Sequence, residues 1–482
     1  MTRPGPRSGT RPSRAALHAT AVAATAALVV AGCSGGEEAP EPSPAPTTSA
    51  SAAPEAVGLP DSPVGEAAGW VVDVLDGEDP PTTDEITERF AGSFLAQVPA
   101  EQLTPIFTQL QGDRPWTVVA VTPADATDAA EVTLVGTSGQ FMAMQVGLDA
   151  DGLVETLFFG PGVDPDRPAA STWDELGERV DGLGATSAVL VARVDDGECV
   201  PVEGAPGGSE GADEALPLAS VAKLYVLGAV ALAVEAGGLA WDDELELTDD
   251  VRSLPSGTLQ DEPSGTTVTV EEAATLMISI SDNTATDLLV QTVGREAVEA
   301  AQVEMGASDP DRNTPFPTTR DLFRLGWGDA DARERWAAAG TDERRDLLAA
   351  LPDGELDVDV AAITQPVWQD GVDWFATPAD VCAAHVWLQE TAETAHGAPL
   401  RAVLSENPGI EVDQEDWPYL AFKGGSSPGV LTGSWLGEDA DGARTVVVVQ
   451  LASDDVAALA NPAELVSLGQ SAFALAAEGD DG

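Results

Sequence analysis

The spacing of apolar residues divides the chain into two segments with different orders of predicted helices and strands. In residues 62–162, apolar positions three to four residues apart come first and strictly alternating positions come second. The predicted helices cover residues 64–75, 84–98 and 100–110, and the predicted strands cover residues 116–121, 130–136, 141–148 and 153–159. Helices followed by an antiparallel meander predict an α+β domain whose sheet curls around its helices.

Residues 171–480 predict a second domain. A helix at 173–183 leads to a strand at 187–194, and residues 216–236 form a helix that is apolar on nearly every side, as expected at the centre of a domain. Thr269 and Glu272 predict a capping box for a helix that ends near Ile280. Strands at 419–425, 430–436 and 444–452 precede a closing helix that begins around Asn461 and Pro462. This order predicts an α/β sandwich with a helical subdomain and with its terminal helices on one sheet face.

The first 33 residues predict a lipoprotein signal peptide. Arginines at positions 3, 7, 11 and 14 precede an apolar run, 15–31, that is short for a membrane span. The run ends Val30-Ala31-Gly32-Cys33, with small residues before a cysteine as in a bacterial lipobox. We therefore expect a lipidated Cys33 that anchors an extracytoplasmic protein to the cell membrane; an ordinary secretory signal is the alternative. Residues 34–61, rich in Pro, Ser and Ala, predict a disordered linker.

Charge and cysteine content narrow the possible partners. The formal net charge is −60 over 482 residues, so the surface repels phosphate backbones and we expect no nucleic-acid partner. Cys199 and Cys382 are the cysteines that follow the signal peptide. Two cysteines do not establish a disulfide, and we expect two buried thiols.

Lysine occurs at two positions in the whole chain, and each lies in a short motif. Lys223 closes a S-x-x-K that begins at Ser220, and Lys423 opens Lys423-Gly424-Gly425 at the end of a predicted strand. Between them, Ser281-Asp282-Asn283 forms an S-D-N triplet in a predicted turn between helices. Arginine supplies the other twenty basic residues, and arginine does not give up its proton in proteins whereas a buried lysine can.

The S-x-x-K spacing suits nucleophilic catalysis. Ser220 and Lys223 are three residues apart at a helix start, so their side chains share one face. Burial disfavours the ammonium form, which lets Lys223 act as a base toward the Ser220 hydroxyl. The free N–H groups of the helix start point to where a carbonyl oxygen would become an oxyanion.

Each motif also has a purely structural interpretation, and other sites compete with it. Ser220 could cap a core helix, the S-D-N triplet could be a capping turn, and the glycines after Lys423 could form a bulge. Residues 207–211 match G-x-S-x-G around Ser209, but an acidic loop surrounds them where a strand and a helix are needed. His385 and His396 lie outside these motifs, and we expect partly buried or surface positions for them. No metal-ligand spacing occurs, so we expect no metal and no cofactor.

The three motifs in this order resemble the serine β-lactamase and penicillin-binding family, class A-like, over residues 171–480. The two-domain layout and residues 223–228, 278–287 and 313–316 further resemble the hydrolases of clavulanate gene clusters and their lipoprotein relatives, in which an isomerase/cyclase-like domain comes first. The resemblance implies roles for seven residues. By this resemblance Ser220 is the nucleophile and Lys223 is its general base. Ser281 relays a proton, and Lys423 binds Ser281 and the substrate carboxylate. Asn283 binds the substrate, and the Gly425–Ser426 segment forms part of the oxyanion hole with Ser220.

Two departures from that family change the expected activity. Residues 306–316, where the family brings a water-activating Glu, contain none, and the strand motif lacks the hydroxyl residue after Lys423, which Ser426 or Ser427 could supply. We expect a serine hydrolase that acts on a small ester or amide through an acyl-serine intermediate, with esterase activity favoured over weak β-lactamase activity. The alternative is a lipoprotein that binds penicillin or cell-wall peptide without turnover.

Overall fold

The structure is a computed structural model that describes residues 56–479 except 97, 124–125, 166–168, 208–213, 353 and 355. The predicted signal peptide, the lipidation of Cys33, the linker up to residue 55 and Ser209 of the G-x-S-x-G alternative lie outside the described residues.

The first hydrophobic core lies between helices and one antiparallel sheet. Helix α1 begins after Ser62, whose Oγ accepts a hydrogen bond from Gly65 N, and it buries Val64, Val71 and Leu75 along one face. The sheet is a meander in the order β1-β2-β3-β4. This arrangement confirms the predicted α+β class. The bounds are α1 Pro63–Asp76, α2 Thr83–Arg89, α3 Gly92–Leu95, α4 Ala100–Leu110, β1 Thr117–Thr122, β2 Ala129–Val135, β3 Phe141–Leu148 and β4 Val154–Pro161.

The single helix predicted over residues 84–98 is wrong. The chain leaves helical conformation at Phe90, which forms a parallel bridge with Val154 at the start of β4, and Ala91 N donates to Val154 O. Helices α2 and α3 lie on either side of this bridge. The apolar spacing continued across the break because Phe90 and Phe94 are both buried in the same core.

The second sheet separates two further cores. Its order is β11-β12-β13-β5-β6, and its named pairs are antiparallel. Along β5, Val189 and Val191 face the core under α5 and α15, whereas Leu190 and Ala192 face the core that contains α6. The terminal helices therefore share one sheet face, as predicted. The strands are β5 Thr186–Asp195, β6 Glu198–Pro201, β7 Leu216–Pro217, β8 Glu244–Glu246, β9 Thr267–Thr269, β10 Phe375–Ala376, β11 Tyr419–Ser427, β12 Val430–Glu438 and β13 Arg444–Ala452.

The helices of this part surround α6, whose residues Lys223–Ala231 are all buried. Helix α7 begins at the predicted capping box of Thr269 and Glu272. Among the described helices, none is both long and apolar enough to cross a membrane. The helices are α5 Trp173–Asp181, α6 Lys223–Glu235, α7 Val270–Ser279, α8 Asn283–Val293, α9 Arg295–Glu304, α10 Thr319–Phe323, α11 Ala330–Ala338, α12 Thr341–Ala350, α13 Pro378–Ala392, α14 Leu400–Ser405 and α15 Ala463–Glu478.

Cys199 and Cys382 form a disulfide, so the expectation of two buried thiols is wrong. Cys199 lies on β6 at the edge of the sheet, and Cys382 lies in the first turns of α13, which packs against β5 and β6. Their Cα atoms are 6.4 Å apart, within the range for a disulfide, although 183 residues separate them in sequence. Sequence spacing could not reveal a contact made only by the packing of a helix on a sheet edge.

Candidate active site

The turn that carries Ser220 lies between a short strand pair and α6. Strand β7 pairs with β10, the chain forms a 3-10 turn over Ala219–Ala222, and α6 begins at Lys223. The helix predicted over residues 216–236 therefore begins later than expected, because its first residues pair with β10. Ala219 has a φ of 44°, in the left-handed region that costs energy for a residue with a Cβ atom. Surrounding contacts must hold this turn in place.

Ser220 and Lys223 share one face of this turn. In a 3-10 helix, residues three apart eclipse each other, and the Lys223 amide donates to the Ser220 carbonyl oxygen. Ser220 is half-buried and its Oγ has no hydrogen-bond partner among the described residues. Lys223 is 1% exposed. The candidate nucleophile is thus open to a ligand, whereas the amine beside it is shielded from water.

Three oxygen atoms surround the Lys223 amine. Lys223 Nζ lies 2.5 Å from Ser281 O, 3.0 Å from Ser281 Oγ and 2.7 Å from Asn283 Oδ1. Burial lowers the pKa of Lys223 to about 7, and the negative charges of Asp282 and Asp287 limit the decrease. Near neutral pH, a large fraction of Lys223 is therefore an uncharged amine with a lone pair.

The contacts restrict where that lone pair points. Ser281 O and Asn283 Oδ1 are acceptors only, so they take the two N–H bonds of a neutral Lys223 amine. The lone pair is then left for a hydroxyl group. Ser281 Oγ already lies within reach of it, and Ser220 lies on the same side of the turn. A neutral Lys223 can accept a proton from Ser281 Oγ, whereas Ser220 Oγ forms no hydrogen bond with this amine among the described residues.

The S-D-N triplet forms the turn between α7 and α8. Asp282 caps α8 by accepting from Ala285 N at 2.8 Å, as the structural interpretation predicted, and it also accepts from Thr258 N and Leu259 N. Ser281 has a φ of 59°, which turns its side chain toward both lysines. The cap and the active-site arrangement therefore coexist. Three backbone amides thus hold the central residue of the triplet.

Asn283 is buried, and both ends of its side-chain amide are bound within the protein. Oδ1 accepts from Lys223 Nζ, and Nδ2 donates to Leu254 O at 3.0 Å. A substrate contact by Asn283, as the family resemblance implies, would add to these bonds or replace one of them.

Lys423 approaches Ser281 from the sheet. Its Nζ lies 3.1 Å from Ser281 Oγ and 2.7 Å from Gly424 O, and the residue is 2% exposed. Burial holds the pKa of Lys423 well below its usual range, and the nearby charge of Lys223 lowers it further. The structure thus brings together Lys223, Ser281 and Lys423, three of the residues predicted from sequence, around one hydroxyl oxygen.

Strand β11 passes directly against the Ser220 turn. A Cβ atom on Gly425 would lie 2.4 Å from Leu218 O and 2.7 Å from Ser220 N, so only glycine fits there. Strand β11 lies at the edge of its sheet, so the backbone groups of alternate residues point away from β12 to the free edge. Gly424 O accepts from Lys423 at this edge, and Ser426 N, two residues later, points to the same side. The amides of Ser220 and Ser426 therefore lie on two segments in direct contact.

Sequence analysis missed Asp373, which lies behind the Ser220 turn. Asp373 Oδ1 accepts from Ala219 N and Trp374 N, each at 2.7 Å. Burial raises the pKa of this carboxyl to about 7, while these amides, the Leu218 amide and the Ser427 hydroxyl lower it. Ser427 interacts with Asp373, whereas the side chain of Ser426 is exposed. An acidic residue directly before the apolar triplet 374–376 was the signal that could have drawn attention to it.

Ser256 is a second residue that the motifs did not indicate. Its Oγ donates to Ser281 O at 2.7 Å, the same carbonyl oxygen that accepts from Lys223. Its backbone oxygen accepts from Asn283 N at 3.0 Å. Ser256 is exposed, so its loop forms one wall beside the S-D-N turn.

The histidines lie apart from Ser220, and His385 is completely buried rather than partly buried or exposed as expected. His385 Nε2 lies 3.1 Å from Ser434 Oγ, which donates to Lys423 O at 3.0 Å. Burial lowers the pKa of His385 to about 4, so the ring is neutral near pH 7. His396 is half-buried, with Nε2 3.8 Å from Glu235. His385 supports the backbone behind Lys423 and does not reach the Ser220 hydroxyl.

Two family models match separate parts of the chain. Residues 204–343 match the model of the beta-lactamase enzyme family, and residues 59–154 match the model described as the N-terminal part of the ORF 12 gene product. The first match includes Ser220, Lys223 and Ser281 but ends before Lys423. No curated protein matches the sequence significantly.

Solved structures with a similar course of the chain include a β-lactamase from Sphaerobacter thermophilus (21% identity, TM-score 0.43), which covers 64% of this chain and 98% of its own. PBP-A matches at 18% identity and a TM-score of 0.42, over 65% of this chain and 99% of its own. A β-lactamase from Chitinophaga pinensis matches at 17% identity and a TM-score of 0.40, over 64% and 98%. The segment that carries Ser220, Lys223 and the S-D-N triplet is thus similar to the beta-lactamase enzyme family.

Proposed function

We propose that this protein is a serine hydrolase that forms an acyl intermediate on Ser220 with a small ester or amide. The single observation that carries the proposal is the position of Ser281 Oγ, 3.0 Å from Lys223 Nζ and 3.1 Å from Lys423 Nζ, beside the turn of Ser220. Two buried amines with lowered pKa around one hydroxyl form a route for protons.

Acylation uses these groups in sequence. Ser220 Oγ attacks the carbonyl carbon while Lys223 Nζ takes the hydroxyl proton, and the carbonyl oxygen becomes an anion that accepts from the amides of Ser220 and Ser426. The bond to the leaving group then breaks. Ser281 Oγ gives its proton to the departing oxygen or nitrogen and regains one from the Lys223 ammonium, so the proton of Ser220 ends on the leaving group. Lys423 orients Ser281 and attracts a substrate carboxylate.

Deacylation favours esters as substrates. Water must attack the acyl carbon and pass a proton to Lys223, which then gives a proton to Ser220 Oγ as the bond between the acyl carbon and Ser220 breaks. Residues 306–316 contain no Glu to activate that water, so a bulky acyl group such as an opened β-lactam would be released slowly. A small acyl group leaves room for water beside Lys223. We therefore favour esterase activity, with weak β-lactam hydrolysis.

The same missing Glu favours one alternative function. If water cannot be activated, the protein would bind penicillin or cell-wall peptide through Ser220 without turnover. Steady hydrolysis of a chromogenic acetyl ester that is lost in Lys223→Ala would exclude this alternative.

We further propose an extracytoplasmic location, with the chain anchored to the cell membrane by a lipidated Cys33. The Cys199–Cys382 disulfide supports an oxidising compartment, because structural disulfides are rare in most cytosolic proteins. The separate matches of residues 59–154 and 204–343 support the relationship to two-domain hydrolases of clavulanate gene clusters. Membrane fractionation of wild type and Cys33→Ala tests the anchor; an unchanged membrane fraction contradicts it.

Covalent labelling tests the acyl-Ser220 mechanism directly. A fluorophosphonate or fluorescent penicillin probe should label wild type and Ser209→Ala equally, and it should not label Ser220→Ala. Mass spectrometry of the labelled peptide should locate the adduct on Ser220. Labelling that survives in Ser220→Ala contradicts the proposal, and labelling lost in Ser209→Ala supports the G-x-S-x-G alternative instead.

A further inference from the structure

The oxyanion site of the proposed function uses amides from two segments that are far apart in sequence. Ser220 N belongs to the turn after β7, and Ser426 N belongs to the edge strand β11. Two donors stabilise one oxyanion only if their spacing is fixed before the reaction. Some group must therefore fix the position of the turn relative to the strand.

Close packing alone does not fix the position of β11 relative to the Ser220 turn. Gly425 brings β11 against Leu218 O and Ser220 N, but van der Waals contact limits only how near the strand comes. Ala219 is in the left-handed region at a φ of 44°, so the turn is not in its preferred conformation without outside contacts. A directional bond to the turn is required.

Asp373 forms a directional bond to the turn and lies near the end of the strand. Its Oδ1 accepts from the amide of the strained Ala219 at 2.7 Å, and the Ser427 hydroxyl at the end of β11 is close enough to lower the pKa of its carboxyl. Asp373 is 5% exposed, and no basic side chain among the described residues forms an ion pair with it. We propose that Asp373 is a positioning residue that sets the distance between the amides of Ser220 and Ser426. This inference rests on the proposed function.

A carboxylate suits this position better than an amide. When ionised, its two oxygens are acceptors only, and the groups beside them are donors: the amides of Ala219 and Trp374 and the hydroxyl of Ser427. In Asp373→Asn, an NH₂ group would face some of these donors. The substitution therefore removes an acceptor with little change in volume.

Asp380 provides a matched control. It is also a buried carboxylate, 6% exposed, that accepts from the amides of Ser308 and Thr377 and from the Ser308 hydroxyl. It completes the capping box of α13, and none of these hydrogen bonds reaches the Ser220 turn or β11. Asp380→Asn thus has the same chemical change and a similar burial, without the link between the two oxyanion segments.

The test measures acylation and substrate binding separately. For Asp373→Asn we expect the rate of fluorophosphonate labelling of Ser220 and the kcat for an acetyl ester to fall about 100-fold, with KM changed less than about three-fold. Asp380→Asn should stay within about three-fold of wild type in both rates. Ser427→Ala, which removes only the contact to β11, should lower both rates about ten-fold.

Each outcome decides the inference. A folded Asp373→Asn that labels as fast as wild type overturns it, and so does Asp380→Asn with an equal loss, since that would indicate a general effect on folding. If Asp373→Asn does not fold, a wild-type rate in Ser427→Ala overturns it. Failure of wild type to label at Ser220 would overturn the proposed function as well, so the two failures are distinguishable.

Discussion

Lys223 on a helix and Lys423 on a strand reach the same oxygen atom: their Nζ atoms lie 3.0 Å and 3.1 Å from Ser281 Oγ. Two buried ammonium groups this close repel each other, so protonating one disfavours protonating the other. The pair thus keeps one amine uncharged near neutral pH, which is the form that a general base needs. Arginine could not take either position, because it stays charged.

The first prediction concerns the pH dependence of activity. Lys223 must be neutral to take the Ser220 proton, and its pKa is about 7. We expect kcat/KM for an acetyl ester to fall about ten-fold per unit as pH decreases below about 7, and to level off above it. Lys223→Ala should lose activity by about 10²–10⁴-fold across this range. An acidic limb centred below pH 5 would contradict the role of Lys223.

The second prediction separates the role of Ser281 from that of Lys223. A fluorophosphonate releases fluoride, which needs no proton, whereas an alkyl ester releases an alkoxide that does. In Ser281→Ala we expect fluorophosphonate labelling of Ser220 to change less than about five-fold and alkyl-ester turnover to fall about 100-fold. Equal losses in both assays would show that Ser281 is needed for attack rather than for the leaving group.

The third prediction tests the close approach of β11. In Gly425→Ala, the new Cβ would lie 2.4 Å from Leu218 O and would push the strand away from the Ser220 turn. We expect acylation to fall about 100-fold. The matched variant Gly424→Ala, whose Cβ meets the side-chain ring of Phe422 at 2.8 Å rather than the backbone of the Ser220 turn, should lose at least ten-fold less. Similar labelling rates for the two variants would contradict the packing argument.

The fourth prediction concerns stability at low pH. His385 is buried and neutral with a pKa of about 4, below the value of about 6.5 expected in the unfolded chain. The unfolded state therefore binds more protons between these values, so the free energy of unfolding should decrease as pH falls from about 6.5 to 4, by roughly 3 kcal/mol from this residue. Denaturant titrations of wild type and His385→Gln should differ in this slope. Parallel curves over that range would contradict the assignment.

The fifth prediction concerns the disulfide. The Cys199–Cys382 bond closes a loop across 183 residues and ties β6 to α13. We expect its reduction to lower the free energy of unfolding by about 2–5 kcal/mol. The double variant Cys199→Ser, Cys382→Ser should show the same loss and no further response to reductant. A wild-type denaturation midpoint that is unchanged by reductant would contradict this expectation.

Local patterns in the sequence predicted most elements, because apolar spacing and capping residues act over a few positions. The run 141–148, the capping box at Thr269 and the strand at 444–452 all appear in the structure with the predicted bounds. The start of α6 was misplaced because its first residues pair with β10, which is more than 150 residues away. A tertiary contact of this kind overrides local helix propensity.

The candidate site was predictable only where a motif spans a few residues. The S-x-x-K, S-D-N and K-G-G motifs led to Lys223, Ser281 and Lys423, which the structure brings together. Asp373 has no such motif, because its partners are backbone amides of a turn distant in sequence, and any residue type at those positions would supply them. The Cys199–Cys382 bond was missed for a related reason: the packing of α13 on the sheet edge determines it.

The scarcity of lysine gives this protein an unusual spectroscopic property. Because both lysines are buried at Ser281, a sample labelled with ¹⁵N only in lysine side chains would give two amine resonances, both from this one cluster. Each amine could then be titrated by NMR in the intact protein, with and without a bound inhibitor. The order in which the two nitrogens lose their protons could be read without mutating either residue.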